Sequence, residues 1–157
     1  MPPIAVIDFE TTGMSPSQGA RATEVAIVLL EGGQVVDRFQ SLMKTGAWIP
    51  PFITELTGIS NAMLQDAPSA DAVMRDAARF VGNAPMVAHN ASFDSKFWQA
   101  ELQLADVPAP QPCACTVLLS RGLYPDAPTH KRGPLVQQLG RPRAERAHRA
   151  LADAEMA

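Results

Sequence analysis

The chain has 157 residues, of which 46% are hydrophobic, and its formal net charge is −3 at pH 7. This length and composition predict a single domain over residues 1–157 with a hydrophobic core. No apolar run reaches the ~18 residues that a membrane span needs, and no basic segment followed by an apolar one opens the chain, so we expect neither a membrane contact nor a secretory leader.

The first third of the chain predicts three antiparallel strands in a meander. A first strand is expected over residues 3–9, where β-branched residues are frequent, and the Gly-, Ser- and Pro-rich residues 12–22 predict a loop. Alternating side chains predict a second strand over Thr23–Leu30. The Gly-Gly pair within Glu31–Gln34 indicates a hairpin turn, and Val35–Met43 is the expected returning strand.

The rest of the chain predicts helices that alternate with short strands. A helical turn is expected over Pro50–Gly58, and Ser69 is a suitable N-cap for a helix that ends at Val81. The later elements are a strand over Pro85–His89, a helix over Ser92–Leu104, a strand over Pro112–Cys115, a helix to about Leu123, a short helix over Pro134–Gly140 and a last helix from about His148. This order predicts an α/β fold with a mixed five-stranded sheet flanked by helices. No G-x-G-x-x-G follows the first strand, which excludes a dinucleotide-binding fold.

Two cysteines, Cys113 and Cys115, fall in the last predicted strand. Separated by one residue, they are poorly placed to form a disulfide with each other, and the chain has no third cysteine. A C-x-C metal site would need further ligands nearby, and none is evident. We therefore expect reduced thiols and a cytoplasmic location.

Two carboxylates stand close together at the end of the first strand. Because side chains two residues apart in a strand point to the same face, Asp8 and Glu10 should lie side by side. Like charges beside a core are costly unless a positive group binds them, and hard divalent cations prefer such oxygen ligands. Taken alone, however, the pair is better explained as solvated acids at a strand end.

Two later segments add carboxylates and a histidine. Asp94 falls in the first turn of the helix after the fourth strand, where an Asp also serves as an ordinary dipole-stabilising residue. His148 and Asp153 open the last helix, and their spacing of five residues keeps them off a common helix face. We expect Asp153 on the helix proper and His148 on its mobile first turn.

Together, the segments Asp8–Gly13, His89–Asp94 and His148–Asp153 resemble the DEDD superfamily of exonucleases. Within it they are similar to the DnaQ-like group, which includes the proofreading ε subunit of bacterial DNA polymerase III. The Leu56–Ile59 segment is also similar to this family, so the resemblance covers essentially the whole chain. It implies a ribonuclease-H-like fold. His148 lies five residues before the last aspartate, Asp153, and Arg149 stands where the other branch has tyrosine. The chain therefore resembles the histidine (DEDDh) branch.

The resemblance implies a metal-dependent 3′→5′ exonuclease that releases nucleoside 5′-monophosphates from single-stranded DNA. It implies two divalent cations, Mg²⁺ or Mn²⁺, bound by four carboxylates, and a histidine as general base. These residues would be Asp8, Glu10, Asp94, Asp153 and, as the base, His148. Asp8 would bridge the ions, and Asp94 would hold the second ion largely through water.

Contacts to the terminal nucleotides are also implied by the resemblance, at Thr11, Thr12, Met14, Asn90 and Phe97. The two threonines would bind through backbone and hydroxyl groups, and Met14 would wedge between the last two bases. Phe97 and its neighbour Trp98 are candidates for a base platform, since stacking is worth ~1–3 kcal/mol per base. Phe97 is equally well explained as a core residue of its helix.

An acidic total charge does not exclude a polyanionic partner. Six of the thirteen basic residues fall between positions 131 and 149, and neutralising four carboxylates with metal would make the total positive. The same cluster is equally well explained as a solvated loop. The family's last helix normally continues for several turns beyond its aspartate, whereas this sequence stops at Ala157, so we expect a truncated last helix.

Three other functions remain open at this point. The chain could be an exoribonuclease on RNA 3′ ends, because no residue clearly reads a 2′-hydroxyl. It could be a proofreading subunit bound to a DNA polymerase. It could also be a non-catalytic adaptor that binds nucleic acid with the same fold, although all five catalytic positions are present.

Overall fold

The computed structural model describes residues 3–88, 91–111 and 113–115, which contain five strands, four helices and one 3-10 turn. The strands are β1 (Ile4–Thr11), β2 (Ala22–Glu31), β3 (Gln34–Leu42), β4 (Met86–Ala88) and β5 (Cys113–Cys115). The helices are α1 (Pro51–Thr57), α2 (Asn61–Gln65), α3 (Ala70–Val81) and α4 (Ala91–Leu104), and a 3-10 turn, Pro16–Gln18, separates β1 from β2.

The five strands form one mixed sheet in the order β3-β2-β1-β4-β5. β2 pairs antiparallel with both β1 and β3, whereas β4 pairs in parallel with both β1 and β5. The prediction of an antiparallel meander followed by parallel strands is confirmed. β1 therefore lies at the centre of the sheet, and its end is shared by the antiparallel and the parallel halves.

The two faces of β1 contact different clusters of buried side chains. One face joins the main core, to which α3 and α4 contribute, through Ala5, Ile7 and Phe9. The other face joins a smaller cluster, which contains Val6, Ala26 and Val28. Because side chains alternate along a strand, Asp8 and Glu10 belong to this second face.

α4 packs on the centre of the sheet through aromatic and aliphatic side chains. Phe97 is fully buried, and its ring centroid lies 6.4 Å from that of Phe9 and 4.9 Å from that of Phe93. Trp98 and Leu102 are buried on the same helix. The N-terminal turn of α4 is thereby held close to the end of β1.

Most of the predicted boundaries agree within two residues, and the differences have local causes. β1 continues to Thr11 because β2 pairs with it along its whole length. The short helix α2 is absent from the prediction. Its N-cap is Ser60, whose hydroxyl accepts a hydrogen bond from the Met63 N–H at 3.2 Å. The helices predicted after residue 115 lie outside the described residues.

Within the part of the chain that the structure describes, no helix is both long and apolar enough to cross a membrane. Cys113 is partly exposed.

The packing of α4 predicts unequal effects of two leucine truncations on the same helix. Leu102 is fully buried, and Leu102→Ala should lower the free energy of unfolding by about 2–5 kcal/mol through lost burial and a cavity. Leu104 is 59% exposed, and Leu104→Ala should cost no more than about 0.5 kcal/mol. Urea unfolding followed by circular dichroism measures both. Equal losses in the two variants would contradict the described packing.

Candidate active site

Asp8 and Glu10 lie on one face of β1, at its carboxyl end. Asp8 is 6% exposed, and Glu10 is partly exposed. Asp8 stands opposite Ala26 of β2, and Glu10 stands opposite Glu24. Because opposite residues of antiparallel strands point to the same face, three acidic side chains share one face of two neighbouring strands.

Glu24 is a candidate site residue that the sequence analysis missed. Its side chain is 1% exposed, and its Oε2 accepts a hydrogen bond from Gln40 Nε2 at 3.0 Å. Charged side chains are rarely buried to this degree without a partner or a role. The available signal was an acid inside an apolar segment, Thr23–Leu30, whose two faces are both largely buried.

Asp94 reaches β1 from the first turn of α4. The Ala5 N–H donates to the Pro85 carbonyl at 2.9 Å, so it points towards β4. Because backbone N–H groups alternate in direction along a strand, the Phe9 N–H points to the same side. β4 ends at Ala88, and beyond it Asp94 Oδ1 accepts the Phe9 N–H at 3.1 Å. The aspartate is 1% exposed. The helix thereby holds a third predicted carboxylate next to the first two.

The turn after β1 is held by its own hydrogen bonds. Thr11 Oγ1 donates to the Gly13 carbonyl at 2.7 Å. The Thr12 N–H donates to the Arg21 carbonyl at 2.9 Å, and Thr12 Oγ1 accepts the Arg21 N–H at 3.0 Å. Met14 is 79% exposed. The turn is therefore ordered without a ligand and presents Met14 to solvent.

A cleft of about 290 Å³ opens between this turn and α1. Its polar side is formed by the end of β1 and the turn, with Asp8, Phe9, Glu10, Thr11, Gly13 and Met14. Its apolar side is formed mainly by α1, with Phe52, Ile53, Leu56, Thr57 and, from α4, Phe93. Phe52 is 67% exposed and Leu56 is 54% exposed, and exposed apolar patches of this kind mark binding surfaces. The cleft suits a ligand with one charged part and one flat apolar part.

The predicted base platform at Phe97 is wrong. Its ring is fully buried between Phe9 and Phe93, so a base has no access to it, and Trp98 is 2% exposed. The sequence left open whether Phe97 belonged to the core, and helical spacing alone could not decide. Phe93, one turn earlier, lines the cleft instead.

Three residues of the predicted site cannot be compared with the structure. Asn90, His148 and Asp153 lie outside the described residues. Of the others, Asp8, Glu10, Thr11 and Met14 line the cleft. Thr12 and Asp94 do not line the cleft; their side chains accept hydrogen bonds from the backbone N–H groups of Arg21 and Phe9, respectively.

The described carboxylates do not by themselves form a metal site. Within residues 3–88, 91–111 and 113–115, no three acidic, histidine or cysteine side chains are grouped closely enough to hold an ion. The donors present are carboxylate oxygens, which fit Mg²⁺ or Mn²⁺ better than Zn²⁺. The fourth predicted ligand, Asp153, lies outside the described residues.

Comparison with protein families and curated proteins gives consistent matches. The family model described as Exonuclease (RNase_T) matches residues 5–157. The 3′-5′ exonuclease DinG of Bacillus subtilis (strain 168) is 39% identical over 153 residues, which cover 96% of this chain and 16% of that protein. The PolC-type DNA polymerase III of Clostridium perfringens (strain 13 / Type A) is 39% identical over 150 residues, which cover 96% of this chain and 10% of that protein. The chain thus spans a small part of the length of these relatives.

Solved structures share the fold. Exonuclease X in complex with 5′ overhanging duplex DNA has 27% sequence identity and a TM-score of 0.78, and the match covers 98% of this chain and 85% of that one. The nuclease domain of 3′hExo, a DEDDh family member bound to rAMP, has 22% identity and a TM-score of 0.82, with 98% and 86% covered. The predicted ribonuclease-H-like fold is confirmed.

The contact between Asp94 and β1 predicts that two substitutions will differ in stability. Asp94→Ala removes the acceptor of a buried N–H and should lower the free energy of unfolding by about 1–3 kcal/mol. Asp94→Asn keeps a carbonyl oxygen at nearly the same place and should lose much less. Urea unfolding of both variants beside the wild type measures the difference. An alanine variant as stable as the wild type would show that the hydrogen bond contributes nothing.

Proposed function

The chain belongs to the exonuclease family whose model matches residues 5–157, and we propose that it removes nucleotides from the 3′ end of single-stranded DNA. Each cleavage would release a nucleoside 5′-monophosphate. The observation that carries this proposal is the cleft that Asp8 and Glu10 share with the apolar side chains of α1.

The two sides of the cleft match the two parts of a terminal nucleotide. Phe52 and Leu56 offer exposed apolar surface on which a base can stack. The carboxylates lie on the opposite side, where the phosphodiester would be. Met14 is exposed beside them and is suited to separate the last two bases. Single-stranded ends fit this arrangement because their bases are free to leave the stack.

Carboxylates repel a phosphodiester unless cations lie between them. Exonucleases of this family generally use divalent metal ions, and two ions, Mg²⁺ or Mn²⁺, would be held here by Asp8, Glu10, Asp94 and Asp153. When bound, such ions would activate water and stabilise the leaving 3′ oxygen.

The protein's own residues would orient the terminal nucleotide and take the proton from the attacking water. Asp94 would place its second oxygen towards the ions while its first stays on the Phe9 N–H. His148 would accept the proton of the attacking water at an imidazole nitrogen. Thr11 and Thr12 would contact the terminal nucleotide from the turn, and Asn90 would contact its sugar or phosphate.

The first test removes one charge from the proposed metal site. Asp8→Asn preserves the size of the side chain but not its charge, and the release of 5′-mononucleotides in Mg²⁺ or Mn²⁺ should fall by about 10²–10³-fold or more. Labelled oligonucleotides separated on denaturing gels provide the rate. Asp76→Asn is the matched control, because Asp76 is an exposed acid on α3 paired with Arg79. Undiminished activity of Asp8→Asn would refute the proposal.

The same assay separates DNA from RNA as the substrate. DNA and RNA oligonucleotides of one sequence are digested in parallel, and we expect the DNA to be shortened faster. Faster shortening of RNA would identify an exoribonuclease. Binding without cleavage of either strand would identify a non-catalytic adaptor.

The second test concerns the apolar side of the cleft. Phe52→Ala removes one stacking surface and should raise KM for an oligonucleotide by ~5–150-fold, which corresponds to ~1–3 kcal/mol for one base. Val36→Ala is the control, because Val36 on β3 is 54% exposed and does not line the cleft. Steady-state kinetics give KM and kcat for both. An unchanged KM in Phe52→Ala would mean that the base binds elsewhere.

A polymerase is the partner that the relatives suggest. The matched segment of the Clostridium perfringens protein lies within a PolC-type DNA polymerase III. We infer that this domain acts in proofreading or repair, beside a DNA polymerase in the cytoplasm.

A further inference from the structure

A partly buried ion pair joins the residue before β2 to α4. Arg21 donates from Nε and Nη2 to the two carboxylate oxygens of Glu101, each at 3.0 Å. Glu101 Oε1 also accepts the Ala22 N–H at 3.0 Å. The side chain of Glu101 is 2% exposed and that of Arg21 is 27% exposed. The hydrogen bond to Glu101 is the main cause that raises the pKa of Arg21, so the guanidinium stays charged at any physiological pH.

Arg21 also closes the turn that forms the polar side of the cleft. Its backbone makes two hydrogen bonds with Thr12, at 2.9 and 3.0 Å. Within the turn, the amides of residues 18–20 donate to the carbonyls of Ser15 and Pro16. The whole turn therefore has a fixed shape, and the guanidinium of Arg21 joins its base to α4.

Glu101 and Asp94 lie on the same face of α4. They are seven residues apart, which is about two helical turns. Asp94 accepts the Phe9 N–H of β1, and Glu101 accepts the Ala22 N–H of β2. The helix is thus bound to both neighbouring strands through backbone hydrogen bonds. Arg21 adds the connection from this helix to the turn.

We propose that Arg21 and Glu101 are positioning residues, which fix the turn that carries Thr11 and Met14 at a set distance from α4 and its Asp94. Neither residue lines the cleft, so both act through other groups. The inference rests on the proposed function, because it assigns a purpose to the geometry of that same site. Under this proposal, the 3′ end is held by a turn that the ion pair connects to α4, the helix that carries the proposed metal ligand Asp94.

The energetics of ion pairs with a buried partner, such as Glu101 here, favour positioning over simple stabilisation. Burying two charges costs desolvation energy that their attraction often only offsets, and apolar replacements of similar volume are often equally stable. A bidentate arginine–carboxylate contact, however, fixes distance and angle at once. Small displacements of groups that orient a substrate cost large factors in rate. The pair lies between the turn and α4, so the distance and angle that it fixes also determine the geometry of the cleft.

The test replaces the guanidinium and keeps the apolar stem. In Arg21→Met the turn should sample other positions, so KM for a DNA oligonucleotide should rise on the order of 10-fold, in inverse proportion to the fraction of molecules that keep the competent geometry. The value of kcat should change much less. Arg21→Lys keeps the charge and should recover part of the loss. Kinetics are measured at a temperature where urea unfolding shows each variant to be fully folded.

An exposed ion pair supplies the matched control. Arg79 donates to Asp76 on α3 at 3.1 Å, and both side chains are largely exposed. Arg79→Met should therefore leave KM and kcat unchanged. A purely structural role of Arg21 predicts lower stability of Arg21→Met with an unchanged KM, and that result would overturn the inference.

Hydrogen exchange provides a readout that does not depend on catalysis. In Arg21→Met the amides of residues 18–20 should exchange on the order of 10-fold faster, because local opening of the turn becomes easier. The amides of α3 should keep their rates. If the wild type released no nucleotides, the proposed function would fail while this measurement still judged the role of Arg21. Unchanged exchange in residues 18–20 would overturn that role.

Discussion

The end of β1 depends on a carboxylate that α4 supplies. β4 ends at Ala88, while β1 continues to Thr11. A buried N–H on that side of β1 must find an acceptor, and Asp94 Oδ1 accepts the N–H of Phe9. A helix that supplies this acceptor must begin close to the end of β4. The same requirement brings an acidic side chain beside Asp8, so one hydrogen bond contributes to both the fold and the site.

The fold and the acidic pair could be predicted from the sequence because their signals are local. Strand alternation places Asp8 and Glu10 on one face, and this needs no knowledge of distant residues. The apolar segment around Glu24 was a signal for its burial, but the sequence does not give the extent of that burial, because it depends on how β2 pairs with both β1 and β3. The same holds for Phe97, since helical spacing gives the face of a residue but not the element that covers it.

The apolar side of the cleft was predicted only as a short helical turn over Pro50–Gly58. Sequence spacing could not show that Phe52 and Leu56 face the acidic end of β1, because this contact joins segments about forty residues apart. The ion pair between Arg21 and Glu101 has a separation of eighty residues and carries no motif. Long-range contacts of this kind depend on tertiary packing, and a single sequence gives no direct signal for them.

The composition of α1 has a consequence for base discrimination. Phe52, Ile53 and Leu56 present no hydrogen-bonding side-chain group to the cleft. The Thr57 hydroxyl donates to the Ile53 carbonyl at 2.9 Å, within the helix itself. Reading a base requires donors and acceptors that match its edge, whereas stacking engages only the face that all bases share. A strand bound in this cleft would therefore be held in the same way whichever of the four bases stands at its end.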